Sequence, residues 1–210
     1  MAIACTETSQ APIVDFRFKI AAFISFFYLV LGITKLTADL FFSFHPSRAL
    51  SYYIDTSLSI VILTCIIYIL LQLKRLFVER YHLHNMNNLI NFFIILNIYG
   101  PLVIFFQRMR LISAHNTGTT GIWLAYWIFF IPGILLFGIF SIIFGKRLLK
   151  VKDQILDLYR IYAIFLIIKG ACLCSIILAP ISVLPSLIST VVLGIIFLKE
   201  SETETQVEFV

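Results

Sequence analysis

The chain of 210 residues is 60% hydrophobic and only 13% charged, with a mean hydropathy of +1.00. A soluble globular domain is about half apolar and about a quarter charged, so this composition excludes a water-soluble fold and requires lipid around much of the surface. The net charge of +5 is distributed between apolar segments, whereas a nucleic-acid interface gathers basic residues on one soluble face. We therefore expect an all-helical membrane protein with no nucleic-acid partner.

The N-terminal part of the chain contains two predicted membrane spans. Residues 1–19 are expected to form a cytoplasmic tail, and residues 20–36 are apolar and form the first span. Residues 37–57 mix polar and aromatic side chains around the helix breaker Pro46, so we predict that this segment lies along the membrane surface. Residues 58–73 form the second span, which ends at a Lys-Arg pair.

Two further spans are predicted in the middle of the chain. Residues 89–106 form the third span, in which Pro101 is expected to kink the helix because proline removes a backbone donor. Residues 122–144 form the fourth span. Its first turns carry Trp123 and Trp127, which suit a membrane interface.

A basic segment, "GKRLLKVKDQILDLYR", follows the fourth span. Its apolar residues recur at helical spacing and its basic residues lie on the opposite face, a pattern typical of an amphipathic helix on an anionic leaflet. Lys146, Arg147, Lys150 and Lys152 are the predicted contacts with anionic lipid headgroups at the cytoplasmic face. An ordinary basic connector explains the segment equally well.

The apolar stretch at residues 161–198 is too long for one membrane crossing. Its 38 residues would extend about 57 Å as a single helix, against a hydrocarbon core about 30 Å thick. Pro180 and Pro185 interrupt it near the middle. We predict two spans, 161–179 and 185–198, which gives six spans in total, or five if the last segment is re-entrant.

The basic residues of the connectors predict the orientation of the chain. Six spans place both termini on the same side, and that side carries eleven Lys and Arg residues against four on the other. The positive-inside rule then makes both termini cytoplasmic. The prediction is a single transmembrane domain at residues 20–199, followed by an acidic tail at 200–210, in a plasma membrane or a bacterial inner membrane.

A shift of the sequence against itself by 72 positions indicates an internal similarity. It aligns Lys74-Arg75-Leu76 with Lys146-Arg147-Leu148 and sets Asn97 opposite Lys169. A duplicated two-helix hairpin explains these matches, and so does chance agreement between two apolar segments.

Lys169 is the one ionisable residue near the middle of a predicted span, and no Asp or Glu lies inside any of the six. A charge at this depth costs at least about 2.5–3.5 kcal/mol and usually faces a partner or a wet cavity. Asn97 and Tyr99 are candidate partners, and the three residues form a hypothetical substrate or ion pathway. The alternative is a structural lysine that reaches a polar group or the interface. The lack of carboxylates disfavours proton- or sodium-coupled transport but leaves an anion-selective or passive pathway open.

Signatures of catalysis are missing from the sequence. No nucleophile elbow, HExxH pattern or glycine-rich phosphate loop is present, and His82 with His84 supplies too few ligands for a metal site. We predict no catalytic residue, no metal and no cofactor.

These observations lead to three functional hypotheses. The first is a non-enzymatic accessory or assembly component that associates through its helices with other membrane proteins or with further copies of itself. Its small-residue contacts are limited to Gly133, Gly138, Gly145, Gly170 and Cys174. The alternative is a small transporter or channel-like protein with Lys169 and Asn97 lining a midplane site. A membrane-embedded enzyme is the third and least favoured.

Overall fold

A computed structural model describes residues 11–44, 48–81, 83–113, 120–150, 157–175 and 177–207. These residues form six α-helices and no strand. The helices are α1 (Ala11–Phe44), α2 (Arg48–Arg75), α3 (His84–Ser113), α4 (Thr120–Lys150), α5 (Asp157–Cys174) and α6 (Val183–Val207).

Local sequence explains where the last two helices separate. After α5, the amide of Leu178 donates to Ser175 Oγ at 3.1 Å. A 3₁₀ turn at Ala179–Ser182 then has proline in its first positions, where the missing N–H of proline costs nothing. Pro101 and Pro132, by contrast, lie inside α3 and α4. A turn of π-helix, Leu76–Arg80, extends α2.

The six helices pack as a closed antiparallel ring in chain order. Each helix packs against the next, and α6 packs against α1. The stacked rings of Phe18 and Phe197, whose centroids are 6.2 Å apart, join the beginning of α1 to the end of α6. In the part of the chain that the structure describes, no helix packs backbone-to-backbone across the ring.

The tightest joint of the ring is between α4 and α5, where glycines allow close approach. A Cβ atom added to Gly138 would lie 2.7 Å from Cys174 Sγ and 2.9 Å from the carbonyl oxygen of Gly170. A Cβ atom added to Gly145 would lie 2.7 Å from the carbonyl oxygen of Ala163. Any side chain at these positions would therefore force the two helices apart.

Among the side chains that the structure describes, those that fill the centre of the ring lie mainly at one end. We call this the basic end, because the terminal turns of α2 and α4 there carry Lys74, Arg75, Arg147 and Lys150. Most fully buried side chains lie at this end, among them Phe77, Tyr159 and Phe197. Aromatic side chains reach across the ring here, as the 6.3 Å between the ring centroids of Phe77 and Phe144 illustrates.

The outer surface of the ring is apolar. Large hydrophobic side chains point outward from every helix, including Phe23, Ile60 and Ile95, each at least 60% exposed. Four helices are long and apolar enough to cross a membrane: Phe16–Ala38, Ile54–Glu79, Ile131–Lys150 and Ala179–Glu202. Met86–Tyr99 is a shorter apolar helix. The all-helical fold and the membrane character expected from the sequence are thus confirmed.

The segment 37–57 differs from its prediction as a separate element on the membrane surface. It is divided between the end of α1 and the start of α2, with Pro46 outside the described residues. A salt bridge joins the two helices within this part of the chain. Lys35 Nζ on α1 and Asp55 Oδ1 on α2 are 3.0 Å apart. The first residues of the predicted acidic tail are helical, because α6 continues through Glu200 to Val207.

The α4–α5 joint gives the first prediction. Gly138→Ala should lower the melting temperature of the purified protein in detergent, because the new methyl group meets backbone and overpacking costs about 1–3 kcal/mol. Gly32→Ala is the matched control, since its Cβ atom would lie 3.4 Å from Leu187 Cδ2, an ordinary contact. Equal melting temperatures for the two variants would contradict the close α4–α5 approach.

Candidate solute site inside the helix ring

A cavity of about 70 Å³ lies inside the ring and is lined by all six helices. Aliphatic and phenylalanine side chains form most of its wall. A space that admits one water molecule measures about 10–15 Å³ on the same scale, so several waters or a small solute fit. The polar side chains of the lining are Tyr28, Asn97, Tyr162, Lys169, Ser186, Ser189 and Thr190.

The cavity extends away from the aromatic packing of the basic end. Phe144, Tyr162 and Leu193 lie on the part of the lining nearest that packing, because they occupy the turns of α4, α5 and α6 closest to it. Asn97 and Lys169 lie further along α3 and α5. Their positions put the amide and the ammonium group on the side of the cavity that faces the opposite end of the ring.

Lys169 contributes the one charged side chain among the described residues of the lining. Its Nζ atom lies 4.9 Å from the ring centroid of Phe137, a cation–π contact worth about 0.5–2 kcal/mol. Among the described residues, no carboxylate pairs with Nζ and no side-chain or backbone oxygen accepts a hydrogen bond from it. The three N–H groups of this ammonium therefore have only the cavity to donate into.

Asn97 lines the same cavity as Lys169, but the two do not hydrogen-bond to each other. Nδ2 of Asn97 donates to the backbone oxygen of Phe93 at 2.8 Å, which leaves its second N–H without a partner among the described residues. Tyr99, the third predicted member of the pathway, is outside the lining. Its ring packs at Gly133 on α4, where an added Cβ atom would lie 3.2 Å from Cε1.

Several hydroxyl groups of the cavity were not predicted as site residues. Ser189 and Thr190 donate to the backbone oxygen of Ser186 at 2.8 and 2.9 Å, so their protons are used. The hydroxyls of Tyr28, Tyr162 and Ser186 have no partner among the described residues. The spacing of Ser186, Ser189 and Thr190 could have predicted a polar face on α6, since residues three and four apart share a helix face.

A second polar group lies at the basic end, centred on Glu200. This side chain is 2% exposed, although the sequence assigns it to the acidic tail. The hydroxyls of Tyr81 and Tyr159 donate to Glu200 Oε1 at 2.6 and 3.1 Å. A carboxylate with two phenol donors therefore joins α6 to α5 and to the turn that follows α2.

Tyr159 at this junction is held in its neutral form. Burial raises the pKa of its hydroxyl well above the ordinary value near 10, and the nearby charge of Glu200 raises it further. A tyrosinate would lose its bond to Glu200 and stand beside a like charge. Because the raised pKa belongs to the folded state, this tyrosine stabilises the fold below about pH 10 and its contribution falls as the pH rises beyond that.

The predicted headgroup contacts are only partly within the described residues. Lys146, Arg147 and Lys150 lie exposed in the last turns of α4 at the basic end, a position suited to a membrane surface. Lys152 lies outside the described residues, as do residues 151–156 of the predicted amphipathic helix, whose other residues belong to the end of α4 and the start of α5. Contact with anionic lipid stays a prediction.

The small residues cited for partner association make their contacts within the chain. Gly138 and Gly145 face α5, Gly170 faces α4, and Gly133 faces Tyr99 of α3. They are therefore used by the ring itself. The accessory or assembly hypothesis stays a prediction, without these contacts as its support.

Chemistry of other kinds finds no support in these residues. Among the described residues, no three His, Cys, Asp or Glu side chains are grouped so that they could hold a metal ion, and His82 lies outside them. Comparison with protein-family models, with curated proteins and with solved structures finds no match to this chain. The functional argument therefore rests on the cavity itself.

Removal of the Glu200 carboxylate should loosen the basic end. Glu200→Ala leaves the buried phenol of Tyr159 and the partly buried phenol of Tyr81 without their acceptor, and each hydrogen bond to a charged group is worth about 1.5–3 kcal/mol. We expect a clear drop in melting temperature in detergent. Glu202→Ala is the matched control, because Glu202 is exposed on the same helix, and it should be near neutral. A small effect at Glu200 would mean that the two phenol contacts do not hold this end together.

Proposed function

We propose that this chain is a small transporter or channel-like protein that crosses the membrane six times and binds a solute in the central cavity. Lys169 is the principal contact with that solute, and Asn97 is a secondary one. The observation that carries the proposal is the ammonium group of Lys169, which faces the cavity without a protein acceptor or counter-ion among the described residues.

The energetics of Lys169 favour a ligand role over a structural one. A structural lysine inside a membrane pairs with an acid, bonds to backbone oxygen, or extends to the interface. Among the described residues, Lys169 pairs with no acid and bonds to no backbone oxygen, and one aromatic ring does not offset the cost of burying an ammonium group. Water or a ligand in the cavity supplies the missing acceptors.

The ring supports six crossings with both ends of the chain cytoplasmic. α3 and α5 are weaker membrane spans by composition, but each packs between two helices that are long and apolar enough to cross. In an antiparallel ring of this kind, α3 and α5 pass through the same depth as their neighbours. The basic residues near the ends of α2 and α4 then lie on the cytoplasmic side.

The packing at the basic end favours a transporter over an open channel. The centre of the ring between the cavity and the basic end is filled by Phe77, Tyr159 and Phe197. Glu200 joins the helices around these side chains. A solute in the cavity can pass this end only if the packed side chains move apart. Such movement is the gating step of a carrier that opens to one side at a time.

Orientation can be tested with reporters fused before Met1 and after Val210. Both fusions should be active only as cytoplasmic reporters, because six crossings return the chain to its starting side. A third fusion in the connection between α1 and α2 should report the opposite side. Termini on different sides of the membrane would contradict six crossings.

Solute movement can be tested in proteoliposomes with labelled small anions, neutral polyols and amino acids. At least one should equilibrate faster than in protein-free vesicles, and Lys169→Met should slow that solute at least tenfold, since a lost charged hydrogen bond of about 1.5–3 kcal/mol corresponds to roughly ten- to hundredfold. Arg75→Met, which removes an exposed cation at the basic end, should leave the rate unchanged. If no solute moves faster than in empty vesicles, the proposal fails.

A further inference from the structure

We propose that the ligand of the cavity is a small monovalent organic anion of the short-chain carboxylate class, with its carboxylate at Lys169 and its alkyl part against the apolar wall. This inference rests on the proposed function, because it names the solute class of the same site. The charge, hydrogen-bonding capacity, wall chemistry and size of the cavity each restrict the class of ligand that it can hold.

The charge balance of the lining selects a single negative charge. Of the lining residues that the structure describes, Lys169 is the one cation and none is a carboxylate. A cationic ligand would meet a like charge in a medium of low dielectric constant, and a dianion would keep one charge unpaired there. Both are costly, whereas a monoanion neutralises the site.

The hydrogen-bonding capacity of the lining selects a ligand that accepts. Unused donors are the ammonium of Lys169, the second N–H of Asn97 and the hydroxyls of Tyr28, Tyr162 and Ser186. Ser189 and Thr190 already donate to backbone oxygen, so they offer oxygen atoms but no free proton. An ionised carboxylate accepts hydrogen bonds at two oxygens and donates none, which matches the surplus of donors.

The wall chemistry separates organic from strongly hydrated inorganic anions. Ile66, Leu70, Phe93 and Leu166 are among the side chains that surround the polar groups. They cannot replace the water lost by a hydrophilic anion such as phosphate, but each buried methylene group of an alkyl chain gains about 0.8 kcal/mol. The cavity thus suits a ligand with one charged end and one apolar end.

The size of the cavity limits the apolar part to a few carbons. About 70 Å³ corresponds to room for roughly five to seven water molecules by the measure of about 10–15 Å³ each. Acetate, propionate and butyrate have four to six non-hydrogen atoms and fall in this range. Longer fatty acids would require the aromatic packing of the basic end to open.

Binding of butyrate to the purified full-length chain in detergent at pH 8 tests the inference, read as a shift in melting temperature and by equilibrium dialysis. A bound ligand stabilises the folded state by an amount that grows with the logarithm of one plus the ratio of free ligand concentration to Kd. We expect butyrate to raise the melting temperature of the unaltered chain and of Arg75→Met. Butan-1-ol, which lacks the charge, and succinate, which carries two, should bind at least tenfold more weakly.

Two variants keep the test informative. Lys169→Met should abolish the shift by butyrate, and it should still fold, since it replaces an unpaired cation by an apolar side chain. Tyr162→Phe keeps the charge and the shape, and should weaken butyrate binding by a few fold through loss of one donor. Equal binding of butyrate and butan-1-ol, tighter binding of succinate or chloride, or unchanged butyrate binding in Lys169→Met would each overturn the inference.

Failure of the ligand class and failure of the proposed function give different results. If butyrate does not bind but another solute crosses proteoliposomes in a Lys169-dependent way, the solute class is wrong and the function stands. If butyrate binds at Lys169 but no solute crosses in any vesicle experiment, the ligand class stands and the transport function is wrong.

Discussion

Closure of the ring by α6 against α1 is the constraint on which the rest of the structure depends. Each helix has an apolar outer face suited to lipid and packs against one neighbouring helix on each side. At interaxial distances of about 8–10 Å, six helices in a ring surround a space about as wide as one more helix. Large aromatic side chains fill that space at the basic end. Where they stop, a cavity remains.

The same geometry gives opposite roles to two ionisable side chains inside the ring, Glu200 and Lys169. Glu200 lies at the filled end, where two phenols satisfy its carboxylate and the contact joins three parts of the ring. Lys169 lines the cavity, where its ammonium group is near the ring of Phe137 and has no acceptor among the described residues. The first group holds an end of the bundle together, and the second is available to a solute. The sequence alone assigned Glu200 to the acidic tail, whereas its hydrogen bonds give it a structural role at the basic end.

Much of the fold could be predicted from the sequence because lipid imposes simple rules. Apolar length predicted the helices, four of which are long and apolar enough to cross a membrane among the described residues, and Pro180 and Pro185 predicted the break between α5 and α6, since proline cannot continue a helix unaided. Counting residues put Lys169 and Asn97 near the middle of their predicted spans, and both line the same cavity. The ring itself could not be predicted, because apolar faces that meet lipid and apolar faces that meet other helices look alike in sequence. The role of Glu200 depends on Tyr81 and Tyr159, which are distant in sequence, and the place of Tyr28 depends on which helices enclose the cavity. Neither leaves a local pattern.

Ring closure can be measured directly by a disulfide cross-link in a chain whose four native cysteines are replaced by serine. A Cβ atom at Gly194 would lie 3.3 Å from Ser25 Cβ, near the range of about 3.5–4.5 Å that a disulfide requires. Ser25→Cys with Gly194→Cys should therefore cross-link α1 to α6 readily in membranes under mild oxidation. Ser25→Cys with Ser141→Cys should not, because α1 and α4 do not pack together. Cross-linking of the second pair but not the first would contradict the ring and, with it, the cavity that it encloses.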